Sequence, residues 1–303
     1  MKKIIVAGGS GFLGKSIVEF FDKTEYEFVI LSRNNFAINN KNCKVKIWNG
    51  KSIGDWSNEL EGAEAVINLS GKSINCRYTD ANKIEILESR IDTTNAIGNA
   101  ILNCKNPPKV WMNASSATLY EYTETENQTE DCKKYNDDFS THVCMEWEKA
   151  LNYFETKNTR KIALRISIVL GKDDGVFTRL KMLTKFGLGG KQGNGKQYVS
   201  WIHITDFCRC IEFFMNQQTA NGAYNLCTPN PITNEILMQT FRQKMKINFG
   251  IPSPNLILKL GALIIGTEPE LVLKSRRVVP KKIMDEGFKF LHPSIDTAIE
   301  SLL

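Results

Sequence analysis

The order of apolar and polar residues in the first part of the chain predicts strands that alternate with helices. The run Ile4-Ile5-Val6 is continuously apolar, as expected for a parallel strand that is buried on both of its faces. Apolar side chains across residues 12–21 then recur at helical spacing, and residues 28–31 are again continuously apolar. This succession predicts one β-α-β unit.

The same alternation continues through the middle of the chain. Further strands are predicted at 45–48, 65–69, 109–112 and 162–166, with helices at 80–104 and 139–154. Strands that alternate with helices in this way pair in parallel. We therefore expect an α/β fold, a Rossmann-type doubly wound parallel sheet.

After residue 171 the pattern changes. The predicted elements are a helix at 176–186, a glycine-rich stretch at 187–196, an extended segment at 198–204, a helix at 206–216, a strand at 224–226 and helices from 234 onward. The apolar run at 256–265 is shorter than the ~20 residues that span a bilayer, so it is predicted to be a helix of the core or the lobe. The glycine-rich stretch either borders the substrate cleft or is a flexible loop.

These patterns suggest a division of the chain into two regions. Residues 1–171 are assigned to a Rossmann domain, with sheet elements returning around 198–228. Residues 172–303 are assigned to a smaller, mostly helical C-terminal lobe that contributes to the substrate cleft.

The most informative motif is Gly8-Gly9-Ser10-Gly11-Phe12-Leu13-Gly14, which begins where the first strand ends and finishes inside the first helix. Gly8 would permit the tight turn, Gly11 would let a pyrophosphate approach the backbone, and Gly14 would allow close packing of helix on strand. The N–H groups and positive dipole of the helix N-terminus would attract the phosphates. The motif predicts a dinucleotide site, with a glycine-rich turn that binds no ligand as the alternative.

The residues that end the second strand indicate which dinucleotide is bound. An NAD-preferring site usually has an Asp or Glu there, about 20 residues beyond the glycines, that binds the ribose 2′-hydroxyl. This chain has Ser32-Arg33 instead. A guanidinium can pair with a 2′-phosphate and a hydroxyl can hydrogen-bond it, so NADP(H) is the expected cofactor. The alternative is that Arg33 is an ordinary surface arginine.

Several motifs, in order along the chain, resemble the extended short-chain dehydrogenase/reductase (SDR) superfamily, and within it the atypical, NAD-dependent epimerase/dehydratase-like branch of epimerase-family proteins. Besides the glycine motif, they are Asn68-Leu69-Ser70-Gly71, the segments 114–120 and 164–171, Trp201-Ile202-His203-Ile204-Thr205-Asp206 and Tyr224-Asn225-Leu226. The segments 88–94, 279–282 and 287–290 are similar to that branch, the last two to its C-terminal domain of unknown function. The resemblance covers nearly the whole chain.

The resemblance implies further residues near the cofactor. Leu69, Ser70 and Gly71 would line the adenosine and ribose, and Glu85 and Arg90 would approach from the following helix. Glu85 and Arg90 are five residues apart, so a solvated charged helix face is the alternative for this pair. The complete set of predicted cofactor residues is Gly8, Ser10, Gly11, Phe12, Leu13, Gly14, Ser32, Arg33, Leu69, Ser70, Gly71, Glu85 and Arg90.

The catalytic residues depart from the superfamily pattern. The usual chemistry needs a Tyr, a Lys four residues later, and a Ser or Thr that hydrogen-bonds the substrate oxygen. Ser116 matches the Ser position. In the superfamily an acidic residue follows the Tyr and Lys, and when Glu148 is aligned with it, Ser140 occupies the Tyr position and Cys144 the Lys position. We predict Ser116 and Tyr120 as catalytic, a packed aromatic being the alternative for Tyr120. The other groups considered as replacements are Tyr122, Tyr135, His142 and His203.

Composition narrows the remaining possibilities. The formal charge of +6 comes from scattered Lys and Arg, and the densest basic clusters, 275–277 and 281–282, are expected to be solvated surface, so no nucleic-acid partner is predicted. Eight cysteines without a C-x-x-C pair indicate reduced thiols and no metal site. The apolar stretch after Met1-Lys2-Lys3 is too short for a signal peptide, and we expect a cytoplasmic protein without a membrane partner.

Two functions remain open. The first is an NADP(H)-dependent oxidoreductase or epimerase-like enzyme that acts on an unidentified small molecule, such as a nucleotide-linked or polar sugar, with Ser116 orienting the reacting oxygen. The second is a non-catalytic NADP(H)-binding sensor or regulatory protein, which would account for the missing tyrosine and lysine. The sequence favours the enzyme.

Overall fold

A computed structural model describes residues 1–38, 40–255, 258 and 273–303 of the chain. At its centre is a seven-stranded sheet, formed by β1 (Lys2–Ala7), β2 (Tyr26–Ser32), β3 (Cys43–Ile47), β4 (Ala65–Asn68), β5 (Val110–Ser116), β6 (Arg160–Ile166) and β10 (Gly222–Leu226). The strands are arranged in the order β10-β6-β5-β4-β1-β2-β3, and each neighbouring pair is parallel. The predicted α/β, Rossmann-type fold is confirmed.

The helices lie on both faces of the sheet and in the C-terminal region. They are α1 (Phe12–Phe20), α2 (Asp80–Leu102), α3 (Phe139–Tyr153), α4 (Val176–Lys185), α5 (Ile204–Asn216), α6 (Asn234–Lys244), α7 (Lys281–Asp285) and α8 (Ile295–Leu302). Two small sheets pair β7 (Ile168–Leu170) with β9 (Trp201–His203) and β8 (Tyr198–Val199) with β11 (Ile232–Thr233).

Side chains of the central strands alternate between two apolar layers, which is why these strands are continuously apolar in the sequence. In β1, Ile4 and Val6 belong to the layer that contains Phe214 of α5. Ile5 belongs to the opposite layer, with Ile97 of α2. Helices α1 and α5 pack together on the first layer, and α2 and α3 pack together on the second. The core thus holds the carboxyl ends of the strands in fixed positions along one edge.

The ends of several elements differ from the prediction. The extended segment expected at 198–204 is divided into β8 and β9, and α5 already begins at Ile204. The reason is a helix cap, because His203 Nδ1 accepts the N–H of Thr205 at 3.1 Å. The helix predicted at 256–265 lies, apart from residue 258, outside the described residues. Among the helices that the structure describes, none is long and apolar enough to cross a bilayer.

The glycine-rich stretch is held against the start of α6. Asn234 Oδ1 accepts the N–H of Gln192 at 2.8 Å, and Asn234 Nδ2 donates to Gln192 Oε1 at 2.9 Å. Gln197 Nε2 donates to the carbonyl of Gln192 at 2.8 Å. All three side chains are buried. These contacts attach the stretch to the lobe and favour a defined conformation over the flexible loop that was the alternative.

The basic cluster at 275–277 is not the solvated surface that the composition suggested. Ser275 is buried and donates to the carbonyl of Thr123 at 2.7 Å. Arg277 donates to the carbonyl of Thr125 at 2.9 Å, and its guanidinium lies 4.6 Å from the ring centroid of Tyr198. These contacts attach the C-terminal region to the loop that follows β5, because the side chains of the cluster bind backbone groups and an aromatic face.

Candidate functional site

The glycine motif forms a tight turn between β1 and α1. Gly8 has a φ of +78°, a region that glycine adopts without strain. A Cβ on Gly8 would lie 2.8 Å from the carbonyl carbon of Leu69, which follows β4. A Cβ on Gly14 would lie 2.3 Å from the Cα of Gly9. The turn therefore has the close backbone approaches that the motif predicts at its first and last glycines.

Gly11 differs from these two glycines because there is space beside it. The nearest described atom to a Cβ on Gly11 would be the Gly8 carbonyl oxygen, at 3.5 Å. Gly11 is also the N-cap of α1, and no side chain caps this helix. The first N–H groups of a helix, here including those of Phe12 and Leu13, have no carbonyl partner within the helix. Open space at such a helix end suits a phosphate.

The ends of three neighbouring strands meet at this turn. The N–H of Gly8 donates to the carbonyl of Leu31 in β2 at 3.3 Å, and the N–H of Leu69 donates to the carbonyl of Ala7 in β1 at 2.9 Å. Ser32-Arg33 follows Leu31 directly. The structure thus brings the glycine turn, the end of β2 and the loop after β4 together at one edge of the sheet.

Arg33 is exposed at that edge. Its neighbour Ser32 is half-buried and accepts the N–H of Asn34 at 3.3 Å through Oγ. In the described part of the chain, Arg33 forms no ion pair with a carboxylate. A guanidinium in this position can reach a phosphate from solvent without first breaking an internal contact.

Arg90 and Glu85, which were predicted together, occupy different surroundings. A Cβ on Gly71 would lie 3.1 Å from Cζ of Arg90, and Arg90 Nη1 donates to the carbonyl of Lys72 at 3.1 Å. The guanidinium lies 5.0 Å from the ring centroid of Trp147. Glu85 is exposed and pairs with the ammonium of Lys72. Arg90 therefore supports the loop after β4, while Glu85 lies on the surface of α2.

A buried polar network behind this edge was not predicted. Asn68 Nδ2 donates to Asn113 Oδ1 at 2.8 Å, and Trp147 Nε1 donates to Thr94 Oγ1 at 3.0 Å. Thr94 Oγ1 lies 3.4 Å from Asn68 Nδ2. The network joins β4 and β5 to α2 and α3, and Asn68 Oδ1 also accepts the N–H of Ser70 at 3.1 Å. The polar Asn68 at the end of an apolar strand was the available signal, since buried amides need partners.

Ser116 ends β5 and forms a hydroxyl pair with Thr118. The two oxygens are 2.6 Å apart, and Ser116 Oγ also accepts the N–H of Thr118 at 3.2 Å. Both residues are half-buried. The pair has two hydroxyl protons, and the hydrogen bond between them uses one. The second can reach the carbonyl of Ile166, which is 3.5 Å from Ser116 Oγ, or the oxygen of a ligand.

The Tyr120 hydroxyl is enclosed by partners from β6 and β10. Tyr120 is fully buried, its hydroxyl donates to Asn225 Oδ1 at 2.8 Å, and Arg165 Nη1 donates to that hydroxyl at 2.7 Å. Burial raises the pKa of Tyr120 well above its ordinary value, despite the opposing effect of Arg165. The geometry is therefore that of a packed aromatic with satisfied hydrogen bonds, which stands against the predicted catalytic role.

Glu148 of α3 forms an ion pair with Arg165 of β6. Its carboxylate accepts two parallel hydrogen bonds from Arg165, Nε to Oε1 and Nη2 to Oε2, each 2.8 Å long. Ser115 Oγ donates to Oε1 at 2.6 Å. The bidentate pair joins α3 to β5 and β6. The signal in the sequence was Arg165, because a charge inside an apolar strand requires a buried partner.

The two positions of the usual Tyr and Lys hold groups that cannot replace them. Ser140 lies in the first turn of α3 and Cys144 one turn later. Burial raises the pKa of the Cys144 thiol to about 12, so the thiol stays protonated at neutral pH. Neither side chain supplies a tyrosinate or an ammonium, in agreement with the sequence alignment.

The remaining candidates have other contacts. Tyr122 donates its hydroxyl to Asp138, the N-cap of α3, and the Lys274 ammonium lies 2.8 Å from the same carboxylate. Burial opposes ionisation of Asp138, but the hydrogen bonds from Lys274 and Tyr122 outweigh it and lower the pKa to about 2. His142 is exposed on α3, and His203 is the buried cap of α5.

Comparison with family models and relatives identifies the chain's relationships. The model of the NAD dependent epimerase/dehydratase family matches residues 4–227. The chain belongs to this family. A domain of unknown function, DUF1731, matches residues 253–302. The chain is 31% identical over 303 residues to an epimerase family protein of Staphylococcus saprophyticus, covering 100% of both. It is 31% identical over 304 residues to one of Staphylococcus aureus (strain MRSA252), covering 100% of this chain and 99% of the relative.

Solved structures of this family's fold are also similar. The human epimerase family protein SDR39U1, crystallised with NADPH, superposes with a TM-score of 0.86 and 24% identity, covering 99% of this chain and 98% of the human one. A nucleoside-diphosphate sugar epimerase from Corynebacterium glutamicum has a TM-score of 0.79 and 22% identity, covering 99% of this chain and 58% of the other. The predicted resemblance to epimerase-family proteins with a C-terminal domain of unknown function is confirmed.

Proposed function

We propose that this family member is an NADP(H)-dependent oxidoreductase or epimerase-like enzyme that acts on a small molecule. The observation that carries the proposal is the glycine turn, where Gly8 and Gly14 leave no room for a Cβ while space opens beside Gly11 at an uncapped helix end. Such a cradle fits a pyrophosphate. The NADPH in the human relative supports the choice of cofactor.

Residues on three strand ends would hold the dinucleotide. The N–H groups of the first turn of α1, at Phe12 and Leu13, would bind the pyrophosphate. Ser32 and Arg33 would bind the 2′-phosphate, because the serine is neutral and the guanidinium is exposed. The loop at 69–71, which Asn68 and Arg90 hold in place, would line the ribose.

The bound cofactor would supply a hydride acceptor or donor. Ser116 and Thr118 would bind the reacting oxygen of the substrate. Their mutual hydrogen bond uses one of their two hydroxyl protons, and the other would be donated to that oxygen. A donor fixed by a 2.6 Å contact needs little reorganisation to stabilise developing negative charge on that oxygen. Tyr120 has no part in this proposal because its hydroxyl is buried between Arg165 and Asn225.

A second candidate function is a non-catalytic NADP(H)-binding sensor. It is favoured by one observation, the burial of Tyr120 together with a protonated thiol at Cys144, since the usual proton-transfer groups are then missing from the site. Turnover separates the two candidates. A screen of carbonyl compounds and nucleotide sugars, followed by NADPH absorbance, supports the sensor if tight NADPH binding coexists with no turnover. Loss of turnover in Ser116→Ala, with NADPH affinity retained, supports the enzyme.

Calorimetric titration tests the cofactor assignment. NADPH is expected to bind at least about tenfold more tightly than NADH, because one charge-assisted hydrogen bond contributes ~1.5–3 kcal/mol. Arg33→Asp should remove that preference. Lys157→Asp is the matched control, because Lys157 is exposed between α3 and β6, at the opposite edge of the sheet. Equal affinities of the unmodified protein for NADPH and NADH would refute the assignment.

A further inference from the structure

Two histidines connect the C-terminal segment to the corner between β9 and α5. The rings of His203 and His292 are stacked, with centroids 3.8 Å apart and planes inclined by 30°. His203 is only 4% exposed. The third histidine of the chain, His142, is exposed on α3. Protonation of the stacked pair would therefore place a positive charge on an imidazole in buried surroundings.

Hydrogen bonds determine which nitrogen of His203 carries the proton. Nδ1 accepts the N–H of Thr205 at 3.1 Å and so caps α5. Ser301 of α8 donates its hydroxyl proton to the carbonyl of Ala298 at 2.8 Å, so its oxygen, 3.2 Å from Nε2, accepts the Nε2–H. Only the neutral Nε2–H form satisfies both contacts. A second proton, on Nδ1, would oppose the N–H of Thr205 and the positive end of the α5 dipole.

The charged groups around the pair are already committed to other contacts. The buried carboxylate of Asp206, on α5, accepts the N–H groups of Leu291 and His292 at 2.9 and 2.8 Å, and a hydrogen bond from Arg209 at 2.9 Å. Burial and the neighbouring His292 lower the pKa of His203 to about 4, against a smaller opposite effect of Asp206. The C-terminal segment contributes His292 itself, whose Nδ1 is buried without a hydrogen-bond partner in the described ranges.

The same corner supports the glycine turn. Leu170 of β7 pairs with His203 of β9, and residue 171 follows directly. A Cβ on Gly171 would lie 2.5 Å from Cζ of Phe12 and 3.4 Å from Cβ of Ile204. The ring of Phe12, at the start of α1, thus packs against the backbone at residue 171, and that backbone also lies beside Ile204, the first residue of α5. Movement of this corner would reach the turn directly, since close-packed contacts transmit displacement.

We propose that the His203–His292 pair is an acid-sensitive latch, whose protonation frees the segment 289–302 from α5 and, by loosening the support of Phe12, weakens dinucleotide binding. The release is argued from the contacts of the pair and does not rest on the proposed function. The effect on affinity rests on the proposed function. For one histidine that is neutral when the latch is closed, the ratio of open to closed molecules rises about tenfold for each pH unit below ~6.5.

Hydrogen exchange of the segment 291–302 tests the release. After correction for the intrinsic pH dependence of exchange, the opening equilibrium of the unmodified chain is expected to rise roughly ten- to thirtyfold between pH 7 and pH 5. The double variant His203→Asn/His292→Phe keeps the contacts but removes both imidazoles. Asparagine can still cap α5, phenylalanine keeps a ring in the stack, and neither side chain takes up a proton between pH 7 and pH 5. This variant should keep equal protection at both pH values. His142→Gln is the matched control and should behave as the unmodified chain.

The latch is overturned if the double variant loses protection at pH 5 as the unmodified chain does, or if His142→Gln alone removes the pH dependence. Should the double variant fail to fold at pH 7, His203→Asn alone decides. Asparagine can still cap α5 but removes the imidazole that is neutral in the closed latch, so the increase in opening between pH 7 and pH 5 must fall at least severalfold, and an unreduced increase overturns the proposal.

Titration with NADP⁺, followed by tryptophan fluorescence at pH 7 and pH 5, tests the link to the glycine turn. Between pH 7 and pH 5 the dissociation constant for NADP⁺ should rise in both proteins, because the 2′-phosphate itself titrates. In the unmodified chain the rise should be several-fold larger than in the double variant. Release without this extra rise overturns the link. If NADP⁺ does not bind at pH 7, the proposed function fails, while the exchange measurement still decides the latch.

Discussion

Arg165 donates a hydrogen bond to the Tyr120 hydroxyl at 2.7 Å, and its guanidinium lies 5.2 Å from the centroid of the same ring. Because the hydroxyl is buried, Tyr120→Phe should lower the free energy of unfolding by ~1–3 kcal/mol, the cost of leaving Arg165 and Asn225 without this partner. NADPH affinity should not change. Urea unfolding measures the loss, with Tyr153→Phe as a control, since Tyr153 is 81% exposed. An unchanged stability with reduced turnover would restore the catalytic role of Tyr120.

Gly14→Ala is expected to damage both stability and dinucleotide binding. Its Cβ would lie 2.3 Å from Gly9 Cα, and backbone cannot move aside as a flexible side chain can. We expect a loss of ~1–3 kcal/mol in the free energy of unfolding, as in overpacked cores, and a weaker NADPH complex. Gly54→Ala is the matched control, because the nearest atom to its Cβ would be 3.5 Å away. Equal effects of the two substitutions would contradict the close packing of α1 on the turn.

The ionised Asp138 should stabilise the fold in a defined pH range. Its folded-state pKa of about 2 lies below the ordinary value of 3.8, so the contribution is complete above pH 4 and is lost as the pH falls through 2. The contribution is about 1–2 kcal/mol after allowance for partial exposure. Asp138→Asn keeps an N-cap for α3 but removes the charge. The difference in unfolding free energy between the two proteins should shrink between pH 5 and pH 2.

Asp131→Asn is the control for that measurement, because the Asp131 side chain is 83% exposed. It should follow the unmodified protein at every pH. A difference for Asp138→Asn that stays constant from pH 5 to pH 2 would show that the carboxylate makes no pH-dependent contribution.

The cysteines should react in two groups. Cys144, Cys208, Cys210 and Cys227 are buried, and burial raises the pKa of each thiol. Cys43, Cys76, Cys104 and Cys132 are half-buried, and burial raises the pKa of Cys43, to about 11, and of Cys104. A thiol reagent should modify the half-buried group first and the buried group only after unfolding. Peptide mapping of the native protein under non-reducing conditions checks the order. Rapid native modification of Cys144 would contradict its protonated, enclosed state, and several disulfides would contradict the reduced thiols that the sequence predicts.

The sequence by itself determined the fold class and the location of the glycine turn. The apolar runs of β1 and β2 are local signals, because a strand buried on both faces must be apolar at every position. The glycine spacing is largely local, since the positive φ of Gly8 and the close approach of Gly14 to Gly9 both lie within one turn and its helix. These features needed no knowledge of distant contacts, which is why Gly8, Gly14 and the strand ends beside them lie as predicted.

Only the tertiary structure decided which polar residues stay partly exposed at the strand ends and which are internal partners. Tyr120 and Ser116 are four residues apart, yet Arg165 and Asn225, contributed by β6 and β10, enclose one hydroxyl and leave the other half-buried. Glu148, Asn68 and His203 similarly have partners that are distant in sequence. The physical reason is that desolvation and hydrogen bonding depend on every chain segment that reaches a side chain, and the spacing of residues along one segment does not contain that information.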